Sequence, residues 1–193
     1  MSADAVELCA KALVLIGVSP ITSFDDDSTE ATVASNVHEE IINGALASYP
    51  WKFATTMSEL DQMTDAPADI WSYAYQIPSD FLHAIRVTQG GTVIEFDRYG
   101  DLIFTNADNG TTPVCLSYIY KAPIANWVPH FRQAVMYDLA SLFGEAVAGR
   151  SDLAKQFAER AERAYLVARS QDSKSQTTRA MVTSRLIAAR RRY

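Results

Sequence analysis

The sequence predicts an α+β fold, and three observations carry that expectation. Apolar residues recur at helical spacing as far as Ser48, alternate with polar ones from Phe53 to Lys121, and return to helical spacing after Pro129. The first changeover falls on Ser48-Tyr49-Pro50-Trp51-Lys52-Phe53-Ala54. Pro50 has no backbone N–H and pushes Tyr49 out of helical dihedrals, so the preceding helix must stop there. Tyr49, Trp51 and Phe53 can each bury a large area and clamp a helix end onto a sheet. The expected architecture is an antiparallel helical bundle drawn from both chain ends (1–49 and 123–169), an inserted antiparallel β domain (50–122) and an extended C-terminal arm (170–193).

The first helix rests on Val6, Cys9, Ala10, Leu13 and Gly17, with Leu15 and Ile16 widening the stripe. Asp4 with Glu7 three residues on reads as a capping box, and Gly17 as the stop. Val18-Ser19-Pro20-Ile21 is an extended connector. Asp25-Asp26-Asp27-Ser28-Thr29-Glu30 leads into a second helix, striped by Val33, Val37, Ile41 and Ala45 with Ile42 and Leu46 beside. The acidic triplet lacks the alternating ligands, the glycine and the distal glutamate of a calcium loop. Acids before a helix N-terminus are favoured by its dipole in any case.

In the β region, Trp71, Tyr73, Tyr75 and Ile77 alternate with polar or small residues and predict the clearest strand. Gln89-Gly90-Gly91 joins Ala84–Thr88 to Thr92–Phe96 as a hairpin, and Tyr99-Gly100-Asp101 turns into Leu102–Thr105. Asn106–Thr112 is a longer loop. Val114, Leu116, Tyr118 and Tyr120 share one face of the last strand, with Cys115, Ser117 and Ile119 on the other. Such a strand is covered on both sides, by helices or by a neighbouring subunit. Beyond Trp127-Val128-Pro129 come two helices, striped by Phe131, Val135, Leu139, Leu142 and Ala146, and by Leu153, Phe157, Ala161, Ala164 and Ala168. Gly149-Arg150-Ser151 joins them as an antiparallel hairpin, with Ser151 or Asp152 as cap. Ser170 to Thr178 reads as a polar linker, and Ala180–Arg192 as an amphipathic segment.

Apolar residues make up 48% of the 193 and charged residues 21%, a globular balance. No apolar run reaches the ~18 residues of a spanning helix. Asp4 and Glu7 replace the basic start of a signal peptide, so none is expected. Cys9 and Cys115 form no spaced pattern and read as reduced core thiols. The charge is uneven. Residues 170–193 set six basic side chains against Asp172, a net of +5, so residues 1–169 hold −11 of a chain total of −6. An acidic body with a basic end implies different partners for each.

Catalytic patterns are missing from the sequence. His38, His83 and His130 fall in separate elements, and His38-Glu39-Glu40 is not a zinc-helix motif. No nucleophile elbow, P-loop or dinucleotide fingerprint is present. A carboxylate pair such as Glu30 with Asp80 is one of many among 23 acids, so nothing singles it out. The expectation is no enzyme, no cofactor and no metal site. The basic end has three readings: a solvated end, a nucleic-acid arm, or a docking segment. Met181, Val182, Leu186 and Ile187, interleaved with arginines, favour docking as an amphipathic helix.

The order of motifs resembles a known family. Leu13–Gly17, Ser19-Pro20-Ile21 with Ser23, the acids Asp25–Asp27, a long helix and Tyr49-Pro50-Trp51-Lys52-Phe53-Ala54 are similar to the N-terminal half of phage head-to-tail adaptors. The likeness is to the tail tubular protein A type of short-tailed phages and to the adaptors of gene transfer agents. Tyr73-Ala74-Tyr75-Gln76-Ile77-Pro78-Ser79-Asp80-Phe81-Leu82, then Ile85-Arg86-Val87, resembles the next block, so the resemblance covers roughly residues 5–88. It implies a twelve-fold ring beneath the portal protein, extending the DNA channel and offering a platform for a further tail, stopper or nozzle protein. Copies of the chain would be partners in the ring, and DNA would pass without sequence-specific binding. The location implied is the virion head-tail junction, after synthesis in the host bacterial cytoplasm. The residues expected to meet the portal or a neighbouring subunit are Arg179, Met181, Arg185, Leu186, Ile187, Arg190, Arg191 and Arg192. The competing readings are a glycan-cleaving tail component using carboxylates and a DNA-binding module using the basic C-terminus.

Overall fold

In the computed structural model, residues 3–65 and 70–175 are described. They form four helices and two antiparallel sheets, an α+β fold. Helix α1 (Ala3–Leu15) ends where Gly17 turns to φ +79°. The Gly17 N–H donates to Val14 O at 3.0 Å and the Val18 N–H to Leu13 O at 3.1 Å. This paired closure satisfies the last carbonyls and needs a residue that tolerates positive φ. The expected capping box is not formed: Asp4 lies inside the first turn, and Glu7 accepts from Lys11 one turn on.

Helix α2 (Thr29–Ala47) is capped by Ser28, whose Oγ accepts from the Ala31 N–H at 3.2 Å. Its buried positions are Ala31, Ala34, Ile42, Ala45 and Leu46. The expected stripe of Val33, Val37 and Ile41 is only half-buried, so the helix is rotated toward its small residues. Small side chains let the backbone approach its neighbours closely, and that outweighs the larger apolar area of valine here.

Helices α3 (Pro129–Ala146) and α4 (Ser151–Lys174) pack along their length. Ser141 Oγ donates to Ala154 O at 2.9 Å, Tyr137 lies on Phe157, and Phe131 faces Tyr165, so the two helices run antiparallel. Gly144 permits the contact, since a Cβ there would stand 3.3 Å from the Ala154 backbone nitrogen. Gly149 makes the turn at φ +61°. The helix begins at Ser151, and the residue at the cap is Arg150 with no side-chain bond, so neither Ser151 nor Asp152 caps it. Nor is Ser170 the start of a linker. Residues 170–174 continue α4, and Asp172 is buried.

The first sheet has the order β1-β7-β3-β4, from β1 (Thr55–Glu59), β3 (Phe81–Gln89), β4 (Thr92–Ile94) and β7 (Val114–Tyr120). The second has the order β2-β6-β5, from β2 (Tyr73–Gln76), β5 (Asp97–Tyr99) and β6 (Leu102–Thr105). The hairpins at Gly90-Gly91 and Gly100 form as expected. Two strands are shorter than the alternation predicts. Trp71 lies outside β2, its indole N–H donating to Asp97 at 3.1 Å. Strand β4 ends at Ile94, because Glu95 leaves the ladder and its carbonyl accepts from Thr105 Oγ1 at 2.9 Å.

Two hydrophobic cores result. One gathers side chains from all four helices, Ile119 and the segments beside Trp51. The other lies between the sheets, where Tyr75 and Ile103 of the second meet Val87, Leu116 and Tyr118 of the first. Strand β7 therefore serves both, with Leu116 and Tyr118 to one and Ile119 to the other. This is the two-sided cover that its composition demanded. No described helix is long and apolar enough to cross a membrane.

Candidate functional site

The place where helices and sheets are joined is built by the Tyr49–Thr55 segment. Pro50 ends the run of helix, the Trp51 N–H closes back on Tyr49 O at 2.8 Å, and a single tight turn over Lys52–Ala54 delivers the chain into β1. Trp51 is wholly buried, and its Nε1–H donates to Ala45 O at 3.1 Å, which ties the indole to the last turn of α2. Its ring meets Tyr49 edge-on at 4.9 Å and Phe131 of α3 at 4.8 Å, with Phe53 at 6.2 Å. Phe131 in turn meets Trp127 at 4.9 Å, and Trp127 Nε1–H donates to Ala122 O at 3.0 Å. Edge-on and tilted contacts at these spacings add to the burial of the rings themselves. From the sheet side, Tyr120 O–H donates to Phe53 O at 3.2 Å, and Lys121 pairs with Glu39 of α2.

The end of α4 closes on the same segment. Asp172 accepts the Lys52 backbone N–H at 3.1 Å through Oδ1 and at 3.3 Å through Oδ2. Tyr49 Oη and Ser173 Oγ are 3.1 Å apart, and the Arg169 guanidinium stands over the Tyr49 ring at 5.8 Å. Burial raises the Asp172 carboxyl above its usual range, an effect partly offset by the Lys52 N–H. Farther down the α3–α4 seam, Tyr165 O–H donates to Asp138 Oδ2 at 3.1 Å. Burial pushes both groups up, outweighing for Asp138 the hydrogen bond that favours its charge. These are positioning contacts. They fix where the chain stands at Ser175, immediately before the segment expected to dock.

The expected docking residues Arg179, Met181, Arg185, Leu186, Ile187, Arg190, Arg191 and Arg192 all lie outside the described residues. Asp172 and Ser173, the residues that mount this end of the helix, were hidden in a stretch that reads as polar linker. Only the spacing of Asp172 four residues after Ala168, on the same face, carried a signal.

The other candidates resolve into structural roles. Asp26 accepts the backbone N–H of Thr22 at 2.8 Å and of Ser23 at 3.0 Å, and these bonds hold its carboxyl below the usual range. The acidic triplet thus folds its own connector. His38 stacks on Phe24 at 4.4 Å with Nδ1 2.8 Å from Ala34 O. Asp80 accepts from Tyr118 O–H at 3.0 Å. Cys9 is wholly buried, and burial pushes its thiol up to about 12, whereas Cys115 is half-buried. Among the described residues, no three His, Cys, Asp or Glu side chains are grouped to hold a metal ion. Set against known proteins, the chain matches no family model and no curated protein.

Proposed function

We propose that the chain is a structural head-to-tail adaptor of a phage or phage-like particle, assembled as a ring of twelve copies beneath the portal protein. The observation that carries this reading is the ordered run of motifs over residues 5–88, which resembles that family from Leu13 through Val87. The roles of those motif residues support it, for they are packing and turning residues. Gly17 makes the helix stop, and Ile21, Trp51, Ala54, Tyr75 and Ile77 are buried. In this reading the helices of both chain ends form an antiparallel bundle, the β domain is inserted between them, and the C-terminal arm reaches the portal or a neighbouring adaptor. Residues 179–192 supply Met181, Leu186 and Ile187 to an apolar groove of that partner, with Arg185 and the three terminal arginines against carboxylates. The acidic body suits a channel wall, because negative charge repels phosphate and lets DNA slide through without sequence-specific contact. The protein acts at the virion head-tail junction and has no catalytic part.

The test is the mass of the chain alone and after mixing with its portal. A monomer that becomes a ring on the portal is expected. A chain that remains monomeric beside the portal and hydrolyses a polymer would put the glycan-cleaving reading first, and salt-dependent DNA binding by the isolated chain would favour the DNA-binding reading.

A further inference from the structure

Two surface cavities share Gln133 of α3 in their lining, and their charges differ. The groove between α3 and α1 exposes Val14 and Leu15, but Asp4 and Glu7 line it together with Lys11 and Arg132, so it selects neither sign of charge. The other cavity lies between α3 and α4, encloses about 340 Å³ and has no Asp or Glu in its lining. Its polar lining consists of His130, Gln133, Tyr137, Arg160 and Arg163, with Ala164 and Val167 as an apolar wall. Residues 1–169 hold −11, so an acid-free pocket with two arginines runs against the charge of its own surroundings.

Helical spacing builds the pocket. His130, Gln133 and Tyr137 fall at i, i+3, i+7 on α3, and Arg160, Arg163, Ala164 and Val167 at i, i+3, i+4, i+7 on α4, so each set shares a face. The antiparallel packing of the two helices brings both faces to one cavity, and Tyr137 on Phe157 at 6.1 Å anchors one end of it.

The groups that meet there have protons to give. The Arg160 guanidinium stands over the Phe157 ring at 5.1 Å and has no hydrogen-bond or carboxylate partner among the described residues. Arg163 donates to Glu159 at 3.2 Å in an exposed pair, which a competing anion opens at little cost. Gln133 Nε2 donates to Tyr137 Oη at 2.9 Å, so the hydroxyl has already accepted a bond and keeps its own proton to donate. His130 carries an N–H in either tautomer.

We infer that this pocket binds a phosphoryl group. A carboxylate offers two oxygens in one plane, whereas donors from two facing helices surround a tetrahedral oxyanion from several sides. Arginine's planar fork also matches a phosphate through two parallel bonds. The site needs no ring and no portal, so its failure and the failure of the adaptor reading are separate results.

Amide NMR of the full chain tests it, by titration at constant ionic strength with inorganic phosphate, dimethyl phosphate and acetate. Phosphate is expected to move the signals of residues 129–137 and 159–167 to saturation, and to bind at least about tenfold more tightly than acetate. Arg160→Gln, a change at an exposed side chain, should weaken phosphate about tenfold, the scale of one charge-assisted bond. Tyr137→Phe keeps the ring on Phe157 and removes only the hydroxyl, and about threefold weaker binding is expected. Saturation by dimethyl phosphate as well assigns the site to a phosphodiester, and saturation by phosphate alone assigns it to a free or terminal phosphate; both support the inference. Shifts that never saturate, acetate bound as tightly as phosphate, or an affinity unchanged in both variants overturns it.

Discussion

The helical core and the core between the sheets are made of different materials. In the first, large rings such as Trp51, Phe131 and Phe143 are set among Ala31, Ala34, Ala45 and Ala140, so the helices close down on a few bulky anchors. In the second, Val87, Ile103, Val114 and Leu116 fill the space, and two tyrosines reach out of it. Tyr75 O–H donates to Ala107 O at 2.6 Å and Tyr118 to Asp80 at 3.0 Å, so the polar ends of this core are satisfied by loops. The indoles of the helical core are satisfied by backbone at the ends of elements, Ala45 and Ala122. The difference teaches where strain can spread. Trp51 touches α2 and α3 directly, and its neighbours Tyr49 and Lys52 hold the end of α4, so damage there is expected to spread through the helices, while damage between the sheets is expected to stay in the strands that face that core.

The largest expected effect follows from that asymmetry. Trp51→Ala should cost about 3–5 kcal/mol in urea unfolding, the range for a large ring removed from a core. Hydrogen exchange should quicken in α2, the start of α3 and β1 alike. A loss below about 1 kcal/mol, the scale of ordinary surface changes, would mean that the junction does not carry the fold. Ile103→Ala removes a wholly buried side chain from the other core, and about 2–5 kcal/mol is expected. Here the faster exchange should appear in β2, β5 and β6 and in the facing strands β3 and β7, and leave α3 unchanged. Equal acceleration in α3 would show that the two cores melt as one.

A smaller effect distinguishes the mount of α4 from the rest of the helical core. Burial raises the Asp172 carboxyl in the folded chain, so its share of stability is complete below the unfolded value of about 3.9 and is lost as pH rises through the folded value. Asp172→Asn keeps an acceptor for the Lys52 N–H without a charge to bury. Variant and wild type should unfold at the same urea concentration at pH 3, with the variant the more stable at pH 7. A variant less stable at pH 7 would show that the carboxylate charge itself holds the helix end. Asp26 has the opposite sign, since its hydrogen bonds hold it low and its contribution fades as pH falls through the folded value.

Much of this architecture is legible in the sequence where the backbone leaves no choice. Pro50 stops a helix, Gly17 and Gly149 take positive φ, and the glycines at 90, 91 and 100 turn hairpins, so those boundaries were readable from single residues. The rotation of α2 was not, because alanine carries little hydrophobic signal and only tertiary packing shows that Ala31 and Ala34 face inward. Alternation overran at Trp71 and Phe96, where a side-chain or backbone group finds a partner outside the ladder. The end of α4 was hidden for a related reason: Ser170 to Ser175 has the composition of a linker, and its helix depends on Asp172 meeting Lys52 across the fold. The expected docking residues form an amphipathic pattern in the sequence and lie outside the described residues, while the groove between α1 and α3 needed the packed structure, since Leu15 read as widening the core stripe and is exposed.

The most direct test of the adaptor reading is an image of the particle with which the protein copurifies. A ring of twelve copies between portal and tail, its acidic wall around the DNA path, is the predicted result. Finding the chain on the tail fibres, on the capsid surface or free of any particle would contradict it.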